Sequence, residues 1–124
     1  MNRHNLKGRE FWGPSVWRTL HSFAAAYTAD KKESALVFVY SLPHLLPCEI
    51  CRAHLVQNLQ RMPPENYMKD NHTFFFWTYA LHDVVNQQIN AANPGLRRKI
   101  SPPIEIVKNE YFHALADDCR ACKL

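Results

Sequence analysis

Apolar residues recur at helical spacing in successive segments of this 124-residue chain, and prolines or turn residues separate those segments. In the first segment, Trp17, Leu20 and His21 follow the i, i+3, i+4 pattern that places side chains on one face of a helix. Residues 37–40 and 74–77 have high β-propensity, which leaves short strands as an alternative, but both runs lie within longer helical periodicities. The pattern therefore predicts an all-α fold, a four-helix bundle with a short fifth helix.

Prolines and turn residues predict where the helices begin and end. Residues 12–15, Trp-Gly-Pro-Ser, are typical of a helix start, because proline is tolerated in a first turn. Pro43 should end the second helix, since proline disfavours helical backbone in the residue before it. The third and fourth helices are predicted at 47–59 and 73–89, and the fifth from about Pro103. The predicted buried face of the fifth helix consists of Ile104, Val107, Tyr111, Ala114 and Leu115.

One part of the chain is expected to fold into a domain and the other to form a flexible tail. Residues 1–116 contain all the predicted helices and are long enough to enclose a single hydrophobic core. Residues 117–124 have few side chains left to pack, so they are predicted to form a flexible C-terminal tail.

Composition and charge exclude several classes of protein. The three glycines are too scattered for the glycine-rich fingerprint of a Rossmann fold or a P-loop NTPase. The net charge of +4 is spread along the chain, and 97–99 is the only run of three basic residues, so no nucleic-acid partner is expected. Residues 34–48, the longest uncharged run, contain two prolines and are too short to span a membrane. Residues 1–11 do not resemble a signal peptide, so a cytoplasmic location is predicted.

The four cysteines form two Cys-x-x-Cys pairs, Cys48 with Cys51 and Cys119 with Cys122. Without an export signal, such pairs favour redox or metal chemistry over a structural disulfide framework. If Cys48 begins a helix, the backbone N–H groups there lower the pKa of its thiol. Cys51 would lie one turn deeper, which gives an outer sulfur for exchange and an inner sulfur facing a buried group.

A structural zinc site is the alternative interpretation of the same cysteines. Two Cys-x-x-Cys pairs can close a tetrahedral site of four thiolates, which would make the chain a zinc-stabilised helical interaction module without enzymatic activity. Here 67 residues separate the pairs, whereas a compact zinc ribbon has roughly 15–20. Arg120 and Lys123 flank the second pair and favour thiolates, so the tail could carry a dithiol between partners; an incidental pair is the other interpretation.

Three motifs occur in order within residues 12–86. Residues 12–21, W-G-P-S-V-W-R-T-L-H, resemble the W-G-x-x-x-W-x-x-L-H opening of the Erv/ALR FAD-linked sulfhydryl oxidases. Residues 47–51, P-C-E-I-C, are similar to the P-C-x-x-C active site of that family, and residues 81–86, L-H-D-V-V-N, to its L-H-N-x-V-N element. The conjunction is much more specific than any one motif. No cysteines remain for the extra structural disulfide of many cellular members, so the resemblance favours the small viral branch of the family or a minimal relative.

The resemblance implies a helical bundle with FAD bound within it, usually as a homodimer. Such a protein oxidises dithiols of protein substrates, a thioredoxin-like carrier among the candidates, and passes the electrons through FAD to O2 to give H2O2. Cys48 would be the interchange cysteine and Cys51 the flavin-proximal cysteine, with Cys119 and Cys122 as a shuttle disulfide. A dithiol carrier without flavin is a further alternative. For a viral protein, the host cytoplasm or the virion is the expected location.

The resemblance also implies a set of cofactor-binding residues and no metal ligand. His82 and Asn86 are one helical turn apart and so project toward the same ligand. Asp83 replaces the usual asparagine and would bring a negative charge near the cofactor, and the usual lysine is absent from 87–91, so Lys99 or Lys108 is expected to meet the FAD phosphates. The implied cofactor-binding residues are Gly13, Trp17, His21, Cys51, His54, His82, Val85, Asn86, Lys99, Lys108 and Tyr111.

Overall fold

Five α-helices follow one another in the computed structural model, which describes residues 5–116. They are α1 (Arg9–Ala25), α2 (Lys32–Leu45), α3 (Glu49–Arg61), α4 (Asn71–Ala92) and α5 (Ile104–Ala114). Short 3-10 turns at Ala29–Lys31 and Pro64–Tyr67 precede α2 and α4. No strand occurs between residues 5 and 116, which confirms the predicted all-α fold. The predicted tail, with Cys119 and Cys122, lies outside the described residues.

The first helix begins earlier than its sequence predicts. Gly8 has a φ of 58°, a left-handed conformation that glycine adopts without strain. The carbonyl of Gly8 accepts hydrogen bonds from the backbone N–H groups of Phe11 and Trp12, so the first turn forms before residues 12–15. Pro14 therefore lies inside α1 rather than at its start.

The second helix also passes the proline that was expected to end it. Pro43 lies in the last turn of α2, and the helix ends two residues later. Leu46, which precedes Pro47, has extended backbone with a ψ of 133°. The rule that proline disfavours helix in the preceding residue thus acts at Pro47, not at Pro43. The turn that follows brings the chain directly to Cys48 and α3.

The fourth helix is the longest and forms the centre of the core. It starts with a capping box, in which the Asp70 carboxylate accepts a hydrogen bond from the backbone of Thr73 and the Thr73 hydroxyl accepts one from the backbone of Asp70. Trp77 is fully buried, and its indole N–H donates to the carbonyl of Met62 at 2.8 Å. The largest fully buried apolar side chains are Trp77, Phe74, Phe75, Leu20, Leu81 and Val39.

The remaining helices surround α4. The contacts pair α1 with α4 and α2 with α3, and α5 packs on α1 and α4. On α5 the predicted buried face is wrong at its end, because Ala114 and Leu115 are exposed; Tyr111 is buried, and Ile104 and Val107 are half-buried. Phe112 is half-buried instead and packs edge-on against Phe75. None of the helices in residues 5–116 has the length and apolar character that crossing a membrane requires.

Candidate functional site

A cavity of about 930 Å³ opens among the five helices and the connector, which we define as residues 93–103. Ligand pockets are typically about 300–1,000 Å³. Lys108 is not among the lining residues, and its Nζ lies 5.5 Å from the centre of the Phe112 ring. Ten of the eleven residues implied by the family resemblance line the cavity, namely Gly13, Trp17, His21, Cys51, His54, His82, Val85, Asn86, Lys99 and Tyr111.

Cys48 and Cys51 form a disulfide at the start of α3. As expected, Cys48 caps the helix, and its Sγ accepts a hydrogen bond from the backbone N–H of Cys51 at 3.2 Å. Cys51 lines the cavity, whereas Cys48 does not. Arg52 holds the backbone just before this pair, because its guanidinium donates a hydrogen bond to the carbonyl of Leu46 at 2.7 Å. The disulfide therefore has one sulfur-bearing residue on the cavity wall and one outside it.

The state of this pair bears on the zinc alternative. A zinc site with four cysteine ligands needs four thiolates, and Cys48 and Cys51 are joined to each other. Between residues 5 and 116, no three histidine, cysteine or acidic side chains are grouped so that they could hold a metal ion.

A second wall of the cavity is made of stacked rings from α1 and α4. The rings of Trp17 and His82 are nearly parallel, with centroids 4.0 Å apart and an interplanar angle of 8°. His21 lies behind them, 5.5 Å from His82 and 5.3 Å from Tyr111 between ring centroids. Flat, rigid side chains of this kind present a surface on which a planar ligand can stack.

Burial keeps both histidines uncharged. Burial lowers the pKa of His21 to about 3, with further lowering by the nearby His82 and Arg18. Burial also lowers the pKa of His82 to about 4; Lys99 adds to this effect and Asp83 opposes it. The ring nitrogens are joined, since His21 Nδ1 lies 2.9 Å from the Thr78 hydroxyl and His21 Nε2 lies 3.3 Å from His82 Nδ1. At neutral pH the pair therefore acts through hydrogen bonds rather than through charge.

Side chains of α4 fasten the connector beside the cavity. The Asn90 amide donates to the carbonyl of Lys99 at 2.8 Å, and its oxygen accepts from the N–H of Lys99 at 2.7 Å. The Ser101 hydroxyl donates to Asp83 at 2.7 Å and accepts from Asn86 at 3.1 Å. The basic residues 97–99 consequently lie along the cavity.

Asp83 lies beside the cavity but does not line it. One carboxylate oxygen accepts from Ser101 and the other from Gln87. Its carboxylate thus holds the connector, while its negative charge still acts on His82 in the cavity wall, where it opposes the lowering of the pKa.

The chemistry of the cavity fits FAD. Parallel aromatic rings suit a planar heterocycle, and the three cationic side chains of the connector suit a diphosphate. Cys51 brings the Cys48–Cys51 disulfide to the same space.

No site role was predicted from the sequence for Thr78, Asn90, Ser101, Arg97 or Arg98. Thr78 lies four residues before His82 and Asn90 four residues after Asn86, so extending the helical period in both directions would have found them. No comparable signal identifies Ser101, because its role depends on how the connector folds back onto α4.

Comparison with known proteins identifies the family. Residues 14–101 match the Erv1 / Alr family. Proteins named FAD-linked sulfhydryl oxidase from two isolates of African swine fever virus, one from Malawi and one from Kenya, are 32% and 31% identical to this chain over 83 residues. Each match covers 64% of this chain and 68% of the viral protein. A protein of invertebrate iridescent virus 3 is 28% identical over 85 residues, covering 65% of this chain and 57% of that protein. The chain therefore belongs to the Erv1 / Alr family.

Proposed function

We propose that this chain is a FAD-dependent thiol oxidase that generates disulfide bonds in protein substrates. The observation that carries the proposal is the Cys48–Cys51 disulfide, whose inner residue lines a cavity with the chemistry of a FAD site. The names of the viral relatives support the same activity.

The protein's own part of the reaction is thiol–disulfide exchange. A thiolate of a dithiol, either a small dithiol or the Cys119 and Cys122 pair after a protein substrate has reduced it, attacks Sγ of Cys48; the Cys48–Cys51 bond breaks, and Cys51 leaves as a thiolate on the cavity wall. The second thiolate of the same dithiol then displaces Cys48, which releases that dithiol as a disulfide and leaves Cys48 and Cys51 reduced. Cys48 is the better target because it lies outside the cavity lining.

A flavin held in the cavity would supply the redox chemistry that links the reduced Cys48 and Cys51 pair to O2, with a balance of one dithiol and one O2 giving one disulfide and one H2O2. Trp17 and His82 would hold a planar part of the cofactor, and the basic side chains of the connector would hold its diphosphate. The other implied residues that line the cavity are His21, Val85, Asn86, Tyr111, Gly13 and His54.

The partners and location are further parts of the proposal. The reductants are dithiol proteins, a thioredoxin-like carrier among them, and Cys119 and Cys122 relay their electrons to Cys48. A homodimer is proposed as the working form. The viral relatives support action in a host cytoplasm or a virion.

The visible spectrum of the purified protein, followed by oxygen uptake on addition of dithiothreitol, tests the activity. The wild-type protein should carry a flavin spectrum, consume O2 and release an equal amount of H2O2. The Cys51→Ser variant should keep the flavin and lose turnover, because no thiolate remains on the cavity wall. Ala53→Ser, an exposed position on the same helix, is the matched control and should behave as the wild type does.

Three results would contradict the proposal. A colourless protein that contains about one zinc per chain would indicate the interaction module. Disulfide exchange without oxygen uptake would indicate a flavin-free carrier. Full oxidase activity of Cys51→Ser would remove Cys51 from its assigned role.

A further inference from the structure

A chain of hydrogen bonds runs through the core from α4 to the cavity. Its members are the carbonyl of Phe75, the hydroxyl of Thr78, and the rings of His21 and His82. The Thr78 side chain is fully buried and His21 is 3% exposed, so solvent does not compete for the hydrogen bonds of Thr78. The bond between His21 and His82 is partly buried, because His82 lies on the cavity wall. The proton positions at Thr78 and at Nδ1 of His21 are therefore set by these groups themselves.

The hydrogen bond between Thr78 and Phe75 decides which groups donate and which accept in the rest of the series. The Thr78 hydroxyl has one proton and lies 2.8 Å from the Phe75 carbonyl, which can only accept, so both contacts of the hydroxyl are hydrogen bonds only when it donates to that carbonyl. The Thr78 oxygen must then accept from His21, whose Nδ1 lies 2.9 Å away. A neutral imidazole has one proton, so protonation at Nδ1 leaves Nε2 of His21 as an acceptor.

The same logic sets the proton on the second histidine. His21 Nε2 lies 3.3 Å from His82 Nδ1, and an acceptor there requires that His82 Nδ1 carries the proton. His82 Nε2 is then unprotonated. Among the described residues, His82 Nε2 has no hydrogen-bond partner. Every buried side-chain nitrogen or oxygen in that part of the chain does have a partner, so His82 Nε2 is not buried. His82 lines the cavity, which makes the cavity the space that its Nε2 can reach.

We propose that Thr78 is a positioning residue that fixes the tautomers of His21 and His82, so that His82 presents an unprotonated Nε2 to the cavity as a hydrogen-bond acceptor. The inference rests on the proposed function for the identity of the ligand. The part of FAD that binds at His82 must carry an N–H or O–H donor, as the adenine amine, the sugar hydroxyls and the flavin imide do. The diphosphate has no donor at neutral pH and is directed elsewhere.

Removing the threonine hydroxyl should reverse the direction of the hydrogen bond between His21 and His82. In Thr78→Val, which keeps the shape of the side chain, His21 Nδ1–H loses its acceptor. Both histidines can then move their protons to Nε2, which is the tautomer preferred by free histidine. His82 would now present a donor to the cavity, opposite a donor of the cofactor.

Long-range 1H–15N correlation spectra of the FAD-loaded protein, with His21 and His82 assigned by substitution, report the two tautomers directly. We expect Nδ1–H on both residues in the wild type and in Thr78→Ser, and Nε2–H on both in Thr78→Val. The dissociation constant for FAD should rise about tenfold in Thr78→Val, as loss of one hydrogen bond predicts, and by less than about twofold in Thr78→Ser.

The wild-type spectrum alone can overturn the proposal, whether or not Thr78→Val folds. Nε2–H on either histidine of the wild type would refute the assigned direction, and so would unchanged tautomers in a folded Thr78→Val. A protein that binds no FAD would refute the proposed function instead, while its tautomers would still decide the role of Thr78. A loss of FAD in Thr78→Val that Thr78→Ser shares, with tautomers unchanged in both, would indicate a packing role and contradict the proposal.

Discussion

His21 combines two properties on one side chain, because it is almost completely buried and yet has hydrogen-bonding partners at both ring nitrogens. Burying an imidazole of this kind has a small free-energy penalty when the ring is neutral and a large one when it is charged. The aromatic cluster of Trp17, Phe75 and Tyr111 around it offers no carboxylate to compensate for a positive charge. The fold thus requires His21 in its neutral form.

The stability of the protein should therefore fall as the pH is lowered. The pKa of His21 is about 3 in the folded protein, against 6.5 in an unfolded chain, so the unfolded state binds more protons between these values. By pH 5 the loss attributable to His21 should approach about 2 kcal/mol, with a smaller addition from the more exposed His82. Urea unfolding at pH 7 and pH 5 measures it. His21→Gln, which keeps a hydrogen-bonding group but cannot titrate, should show a shallower dependence on pH; an identical dependence would contradict the role of His21.

The sequence predicted individual residues of the site well where a motif carried them. Trp17, His21, Cys51 and His82 come together as the resemblance implied. Lys108 does not line the cavity with them: its match to the family was a short one, and the apolar spacing of α5 puts Val107 and Tyr111, rather than Lys108, on the face that meets the cavity. A side chain that acts through the connector, as that of Ser101 does, was beyond prediction because its partners lie on a different element, α4.

At the scale of elements, two neighbouring rows of side chains on α4 make two different sets of contacts. One row, containing Thr78 and His82, faces α1 and the cavity. The other row holds the connector through side chains that recur at i, i+4, i+7 and i+11, namely Tyr79, Asp83, Asn86 and Asn90. That spacing keeps all four on one face of a helix. The single helix α4 therefore positions both His82 and the connector beside the cavity.

Asn90 is expected to control how firmly the connector is held. Asn90→Ala removes both hydrogen bonds to the backbone of Lys99, which together contribute about 1–2 kcal/mol to keeping the connector closed. Trypsin should then cleave after Arg97 and Arg98 roughly 5- to 30-fold faster, because cleavage follows the open fraction of the segment. Mass spectrometry of the fragments gives the rate and the cleavage site.

The matched control is Asn109→Ala, since Asn109 is an exposed asparagine on α5. It should leave the cleavage rate unchanged. Equal rates for Asn90→Ala and the wild type would show that the hydrogen bonds of Asn90 are unnecessary and that Tyr79, Asp83 and Asn86 hold the connector without them.

Helix existence was predictable from apolar spacing, but helix ends depended on local backbone chemistry. The periodicity identified all five helices because packing against a common core requires a continuous apolar face. Gly8 and Pro47 set two of the ends, whereas the sequence pattern had placed those ends at residues 12–15 and Pro43. Proline restricts its predecessor and removes one N–H, yet a helix held by tertiary packing can retain Pro14 and Pro43 inside it.

At the scale of the whole molecule, one small domain builds its cavity from helices and a connector instead of from a glycine-rich loop. The scarcity of glycine is compatible with a nucleotide cofactor because α1 and α4 supply stacked rings and the connector supplies positive charge. Cys51 and the stacked rings of α1 and α4, which would hold the cofactor, all belong to residues 14–101, the part that matches the family. The second cysteine pair lies beyond that part and should be separable from the basic reaction.

Replacing Cys119 and Cys122 together by serine should therefore affect substrates according to their size. A small dithiol such as dithiothreitol can reach Cys48 directly, so its oxidation rate should stay close to that of the wild type. A folded protein dithiol needs a relay, and losing an intramolecular one should slow its oxidation by about tenfold or more. Oxygen uptake with each substrate gives the two rates, and Cys48→Ser should abolish both. Equal losses on the two substrates, or no loss on either, would show that the second pair is not a shuttle.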